Sequence, residues 1–154
     1  MAYQKNNGSK VIITRFSNFY GRGQLKHRLI PKVLECIKNN LKFPIHGKGL
    51  TKRDFIFDED FNDAFYKVLK KGKSGKIYHF STNYYVSIKS IVEIICKSKN
   101  VKFEDIVYKA SDRIGKDKYY FLDCNKTSKE LKWTPKNKLI QGLNKTIKYY
   151  DKDL

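Results

Sequence analysis

The stretch KVIITRF at 10–16 restricts the fold more than any other part of the chain. It is a continuous, β-branched apolar run, and a strand without polar alternation is one buried on both faces, as in the interior of a parallel sheet. KIYHFS at 76–81 reads the same way. Around these two strands the apolar residues fall at helical spacing. PKVLECIKNNLK (31–42) opens on Pro31 and aligns Val33, Leu34, Ile37 and Leu41. DEDFNDAFYKVLKKG (58–72) has an acidic first turn, a basic last turn and Gly72 as a stop. SIKSIVEIICKSK (87–99) begins with Ser87 as its N-cap. FPIHGKG (43–49) and RDFIF (53–57) read as short strands flanking a turn, and DIVYKA (105–110) and YYFLD (119–123) as further strands. NKTSKELK (125–132) is a short helix, WTP (133–135) a break, and LIQGLNKTIKYYDKD (139–153) a final helix. The alternation is α/β, in a chain of 154 residues, enough for one domain with a core. Two strands of interior type with few others to flank them leave open edges, which soluble proteins avoid. The chain therefore reads as part of a larger α/β unit.

Charge sorts the partners. The net charge is +18, yet only five of the 33 basic residues are Arg. The Lys are scattered without a run of five, as an AT-rich coding sequence would leave them, so a solvated surface explains the charge better than a dedicated nucleic-acid site. In a chain whose default cation is Lys, an Arg marks a place where a planar fork matters, as on a phosphate. Arg15, Arg22 and Arg28 crowd around one loop, RFSNFYGRGQLKHRLIP at 15–31. Cys36, Cys96 and Cys124 are odd in number and far apart, which fits reduced, buried thiols. No apolar run is long enough for a membrane span, and MAYQKNNGSK has no signal-peptide core. The expectation is a cytoplasmic protein with no membrane partner.

Seven segments then occur in a meaningful order: VIITRFSNFYGRGQ, HRLIPKVLECIKNN, PIHGKGLTKRDFIFDEDFNDAF, GKIYHFST, SIKSIVEIIC, SDRIGKDKYYFLDCNKTSKELKWTP and GLNKTIKYYD. Together they cover residues 10 to 150, and they resemble the C-terminal half of extended short-chain dehydrogenase/reductases of the NAD-dependent epimerase/dehydratase family, nearest its nucleotide-sugar 4,6-dehydratases. The resemblance implies the C-terminal, substrate-binding part of a Rossmann-like α/β fold, with the N-terminal NAD-binding βαβ units missing. Residues 1–154 would form a single nucleotide-sugar-binding region. Carried over by position, Asn18 holds the sugar diphosphate, and the backbone at Phe16 and Ser17 lies near the nicotinamide. Arg28, Leu29 and Ile30 grip the pyrophosphate and base at a helix start, where free N–H groups and the dipole favour an anion. His46 walls the nucleobase, Arg53 and Arg113 clamp the diphosphate from two sides, and Asn83 reaches a phosphate. Three departures stand out: Arg22 where the family has Pro, Ile114 and Lys116 in DRIGKD, and Lys118 in place of an Arg.

The front half of the family's chemistry is absent from this sequence. There is no Gly-x-x-Gly-x-x-Gly loop to bring N–H groups to a dinucleotide pyrophosphate. The Tyr-x-x-x-Lys acid/base pair and the Asp-Glu dehydration pair of the family lie upstream of the matched region. Tyr66 with Lys70 and Tyr85 with Lys89 have the spacing, but 11 Tyr among so many Lys produce about two such pairs by chance. Asp58, Glu59 and Asp60 are explained by the helix dipole rather than by a metal. The expectation is thus no catalytic residue and no metal ligand here, and NAD in the complete enzyme without tight binding to this chain alone. The partners are a nucleotide-diphosphate sugar and a missing N-terminal NAD-binding segment or subunit; a homo-oligomer stays open, and no specific nucleic acid is expected. The complete enzyme would oxidise the sugar at C4 with NAD and later return the hydride. Two rivals remain at this stage: a basic nucleic-acid-binding module, and a degenerate remnant that oligomerises through unpaired strands.

Overall fold

In chain order the elements are β1 (Ile13–Phe16), β2 (Asn18–Tyr20), α1 (Leu29–Lys38), β3 (Phe43–His46), β4 (Lys52–Phe57), α2 (Asp58–Lys71), β5 (Ile77–Phe80), β6 (Tyr85–Ser87), α3 (Ile88–Ser98), α4 (Phe103–Ile106), β7 (Val107–Ala110), α5 (Asn125–Leu131) and α6 (Leu139–Asp153), with one 3-10 turn at Gly47–Gly49. They come from a computed structural model that describes residues 8, 10–112, 115, 117 and 119–153. β1 pairs in parallel with β5, β2 in parallel with β4, and β3 in parallel with β7, while β6 runs antiparallel on the far side of β4. The parallel pairs and their helical crossovers realise the α/β alternation.

Two strand expectations are corrected. Neither β1 nor β5 is buried on both faces: Ile13, Thr14 and Phe16 are half-buried and Arg15 is exposed, and Ile77 and His79 of β5 are only half-buried. The reason lies in what covers them. Tyr78 and Phe80 of β5 pack with Val68, Leu131 and Trp133 in a closed core that Phe16 flanks, whereas Arg15, Ile77 and His79 open onto a surface pocket. Among the described residues β1 and β5 have no second strand neighbour, so each has an open edge. YYFLD forms no strand. Leu122 and Cys124 are buried while Phe121 and Asp123 are exposed, which produces a strand-like alternation, but no partner ladder accompanies it. Tyr119 and Phe121 instead stack at 5.9 Å, and Phe121 meets Tyr85 edge-on at 4.4 Å.

The helices follow their sequence signals closely. The Ser87 hydroxyl accepts the Ser90 N–H at 3.0 Å and caps α3. α2 ends at Gly72, whose N–H closes on the Val68 carbonyl. α1, α3 and α6 bury Val33, Ile91, Val92, Ile95 and Leu143 against Phe55 and Phe57 in the larger core. Asp60, at the start of α2, accepts the N–H groups of Lys136 (2.8 Å) and Asn137 (3.1 Å), so this acidic residue also ties the chain after Trp133 to the helix. All three cysteines are free and buried. No helix among the described residues is long and apolar enough to cross a membrane.

Candidate functional site

Ser17 lies where the chain leaves one sheet and joins another. Its N–H extends the β1–β5 ladder to the Phe80 carbonyl at 2.9 Å, while Asn18 is already in register with Phe55 of β4. The bend and the loop after β2 open a cavity of about 360 Å3. Its walls are Ser17, Asn18, Phe19 and Tyr20, then Gln24 from the loop, Phe55, and Arg28, Leu29 and Ile30 from the start of α1. Arg28 is extended and α1 has no side-chain cap. The first N–H groups of a helix have no partner inside it and sit at the positive end of the dipole, so this wall favours an anion.

A second cavity, of about 300 Å3, is lined by His27, Leu29, Lys32, Phe43, Pro44, His46, Thr51, Ile88 and Asp112. Leu29 lines both cavities, which therefore meet at the start of α1. The His46 Nδ1 lies 2.6 Å from the Ser111 carbonyl oxygen. A carbonyl only accepts, so Nδ1 carries the hydrogen and the ring is fixed in orientation. The mixed apolar and polar lining suits a flat heterocycle.

The expected site residues divide into three groups. Ser17, Asn18, Arg28, Leu29 and Ile30 share the first cavity, and His46 lines the second. Phe16, Arg53 and Asn83 line neither. The Phe16 ring stacks on Phe80 at 4.6 Å. The Arg53 guanidinium donates to the carbonyls of Lys52 (2.8 Å) and Asp117 (2.6 Å). Asn83, at φ +58°, donates its amide to the Cys124 Sγ at 3.4 Å. Arg113 lies outside the described residues, as do Ile114, Lys116 and Lys118.

Three residues of the site went unread in the sequence. Asp54 is 2 % exposed. Its carboxylate accepts the Ser81 hydroxyl (2.5 Å), the Thr82 N–H (2.8 Å) and the Thr82 hydroxyl, and its carbonyl accepts the Asn18 amide at 3.1 Å. One buried carboxylate thus fixes both the cavity strand and the loop that carries Asn83. The signal was present: an Asp inside a strand between Arg53 and Phe55 is a buried charge in need of donors. Tyr20 and Gln24 also line the cavity, but both are engaged. The Tyr20 hydroxyl donates to the Leu139 carbonyl at 3.2 Å, and burial, then Asp60, Asp58 and Asp54, push its pKa far above that of an ordinary phenol. It stays protonated and is no general base. The Gln24 side-chain amide donates to the Phe19 carbonyl at 2.6 Å, and the Gln24 main-chain carbonyl accepts the Tyr150 hydroxyl at 2.8 Å.

Arg22 explains itself through Asp58. The guanidinium donates to the two carboxylate oxygens at 2.8 and 3.1 Å, and the Arg22 N–H adds a third bond at 3.0 Å. Gly21, at φ +148°, makes room: a Cβ there would lie 2.6 Å from the Asp58 carboxylate. The fork roots the loop carrying Gln24 and Arg28 to the first turn of α2. Arg22→Ala is expected to lower stability by about 1–2 kcal/mol in urea denaturation, below the usual cost of a broken buried pair because the Arg22 side chain is 46 % exposed. Arg22→Lys, which cannot fork, should recover less than half of that loss. A change under about 0.3 kcal/mol for both variants would reduce the fork to an idle surface pair.

The two Tyr-x-x-x-Lys spacings do not reach the cavities. The Lys70 ammonium lies over the Tyr66 ring at 5.7 Å on α2, and Lys89 pairs with Glu93 at 3.6 Å on α3. Among the described residues no cluster of His, Cys, Asp and Glu could hold a metal ion.

Comparison with known proteins bears on what these cavities take. Residues 1–81 match the model of the NAD dependent epimerase/dehydratase family. The chain is 36 % identical over 159 residues to a dTDP-glucose 4,6-dehydratase of Haemophilus influenzae, covering 97 % of this chain and 47 % of that protein. It is 37 % identical over 145 residues to the dTDP-D-glucose 4,6-dehydratase of Homo sapiens, covering 91 % and 41 %. It superposes on the crystal structure of a Streptomyces venezuelae dTDP-glucose 4,6-dehydratase with NAD and TYD bound, at a TM-score of 0.94 and 30 % identity, over 99 % of this chain and 47 % of that one. The fold is Rossmann-like α/β, and the chain spans about half the length of the relatives it matches.

Proposed function

This chain belongs to the NAD dependent epimerase/dehydratase family, and from that membership we propose that it is the nucleotide-sugar-binding region of a sugar-nucleotide 4,6-dehydratase or epimerase. One observation carries the reading: two cavities meet at Leu29, beside a helix start that favours an anion and next to Arg28. A nucleoside diphosphate has the matching order, with a flat base, then a double negative charge, then the sugar. The base takes the His46 cavity. The diphosphate takes the Arg28 guanidinium and the first N–H groups of α1, and Asn18 lies on the facing strand. Arg53, whose guanidinium donates to the Asp117 carbonyl, approaches from outside.

NAD is assigned to the complete enzyme rather than to this chain alone. No Gly-rich loop is present in the sequence, and the Ser17 N–H, half of the backbone pair assigned to the nicotinamide, is bonded to Phe80. Hydride chemistry is therefore assigned to a segment or subunit that supplies such a loop, and none of it to this chain. The residues here bind and orient.

Either dTDP or UDP at about 100 times its Kd is expected to stabilise the chain by ~2.7 kcal/mol, a rise of roughly 5–11 °C in melting temperature at this size. Arg28→Ala should weaken binding by about 10- to 100-fold, the weight of a charge-assisted contact, without moving the melting point of the free chain. The absence of any shift with either nucleotide would count against the reading.

A further inference from the structure

The wall that carries Arg28 is a loop with little of its own to hold it. From Arg22 to Arg28 every residue except Gln24 is exposed. Among the described residues, the main chain between Gly21 and His27 makes one bond to main chain, the Leu25 carbonyl accepting the Arg28 N–H at 2.9 Å. The Arg22–Asp58 fork fixes the front of the loop. Beyond that fork, one hydrogen bond among the described residues reaches residues 23–28 from a distant part of the chain. The Tyr150 hydroxyl, in the last turn of α6, donates to the Gln24 main-chain carbonyl at 2.8 Å across 126 residues of sequence. Tyr150 has a firm base for this: its ring is half-buried, packs against the larger core and meets Tyr149 edge-on at 5.3 Å.

Resting on the proposed function, we infer that Tyr150 is a positioning residue for the nucleotide: it holds the loop so that Arg28 faces the first cavity. Gln24 and Arg28 both line that cavity, and the Leu25–Arg28 turn links the position of one to the position of the other. An exposed loop with two glycines at positive φ, Gly21 and Gly23, has other conformations within reach. A ligand that needs only one of them binds in proportion to the population of that one. The Tyr150 bond raises this population by ordering the loop before the nucleotide arrives. Its contribution therefore shows in affinity, although Tyr150 itself does not line the cavity.

The test is Tyr150→Phe on the full chain, which keeps the ring and loses the bond, with dTDP and UDP as probes. Measured well below the melting temperature, both nucleotides should bind about fivefold more weakly, the weight of one net hydrogen bond. The melting temperature itself should fall by no more than about 4 °C. Without nucleotide, trypsin should cut after the exposed Lys26 faster than in the wild type. Tyr78→Phe is the control. Its hydroxyl donates to Glu130 at 3.2 Å and accepts the Lys73 N–H at 3.1 Å in the other core, so its loss should leave nucleotide affinity unchanged. In an Arg28→Ala background, Tyr150→Phe should add a loss of less than about twofold, because the contact it positions is gone. Unchanged affinity or unchanged cleavage after Lys26 in Tyr150→Phe makes Tyr150 a structural tyrosine and overturns the inference. An equal loss of affinity in Tyr78→Phe, or an undiminished loss in the Arg28→Ala background, overturns it too. A wild-type chain that binds neither nucleotide overturns the proposed function as well, so the two failures are told apart by the wild type.

Discussion

Asp54→Ala is expected to lower the stability of this protein by about 3–5 kcal/mol, and the melting temperature by roughly 6–20 °C. The carboxylate lies on β4 at 2 % exposure and holds three donors from Ser81 and Thr82. Alanine leaves all three where water does not reach easily, since Ser81 is itself 1 % exposed, and each unpaired donor costs about 1–3 kcal/mol. Asp54→Asn keeps one acceptor oxygen and turns an NH2 toward donors, so it should cost about half as much. Trp133, the single tryptophan and fully buried, reports the transition by fluorescence in urea. Because the Asn18 amide is bonded to the Asp54 main chain, which alanine retains, nucleotide binding measured well below the melting point should suffer less than stability. A loss under 1 kcal/mol would mean that the 81–83 loop relaxes to water and that Asp54 does not set the loop's position.

The parts of the fold legible in the sequence are those whose signal is local. Four helices show a long amphipathic period with their own punctuation, Ser87 at one start and Gly72 at one end, and these needed no knowledge of neighbours. β2 was invisible because its three residues are separated from β1 by Ser17 alone, and the change from pairing with β5 to pairing with β4 is a tertiary event. YYFLD failed for the converse reason: alternation reports which side chains are buried, and a strand also needs a partner ladder. β1 has the composition of a doubly buried strand, yet in this chain one face stays partly open. That composition fits a strand with a second neighbour, which β1 lacks among the described residues.

The site divides along the same line. Asn18, Arg28, Leu29 and Ile30 could be named from the order of the motifs, and they do share a cavity. Arg22 was visible as a departure and Asp58 as an acidic helix start, but the two stand 36 residues apart and nothing in either stretch names the other. The dipole accounts for an acid at the start of α2; it does not say that this acid also anchors the loop that carries Gln24 and Arg28. Arg53 shows the reverse. Its residue type suggested a phosphate contact, while its bonds to the Lys52 and Asp117 carbonyls place it off the cavity wall.

Gly142→Ala should act against the usual rule for helices. In an exposed helix interior that change gains up to about 1 kcal/mol, because alanine has less backbone freedom to lose. Here Gly142 is buried on α6 where the ring of Tyr20 crosses it. A Cβ at that position would stand 2.1 Å from the Tyr20 oxygen and 2.9 Å from two ring carbons of Phe57. Neither ring can swing away cheaply, since both are 1 % exposed and Tyr20 is held by its bond to Leu139. Overpacking of this kind costs about 1–3 kcal/mol, and two displaced aromatic rings put the expected loss at the upper end, about 3 kcal/mol. Tyr20 also lines the first cavity, so the displacement reaches that cavity from the far end of the chain, and the proposed nucleoside diphosphate binding should weaken with stability. The cause is separable by a double-mutant cycle. Tyr20→Phe alone gives up one hydrogen bond and should cost about 1 kcal/mol. In the Gly142→Ala background it removes the atom in closest conflict, so it should cost nothing or be favourable, a coupling of at least 1 kcal/mol. Additive losses would assign the damage to Phe57 alone. A Gly142→Ala protein more stable than the parent would mean that α6 does not approach Tyr20 this closely.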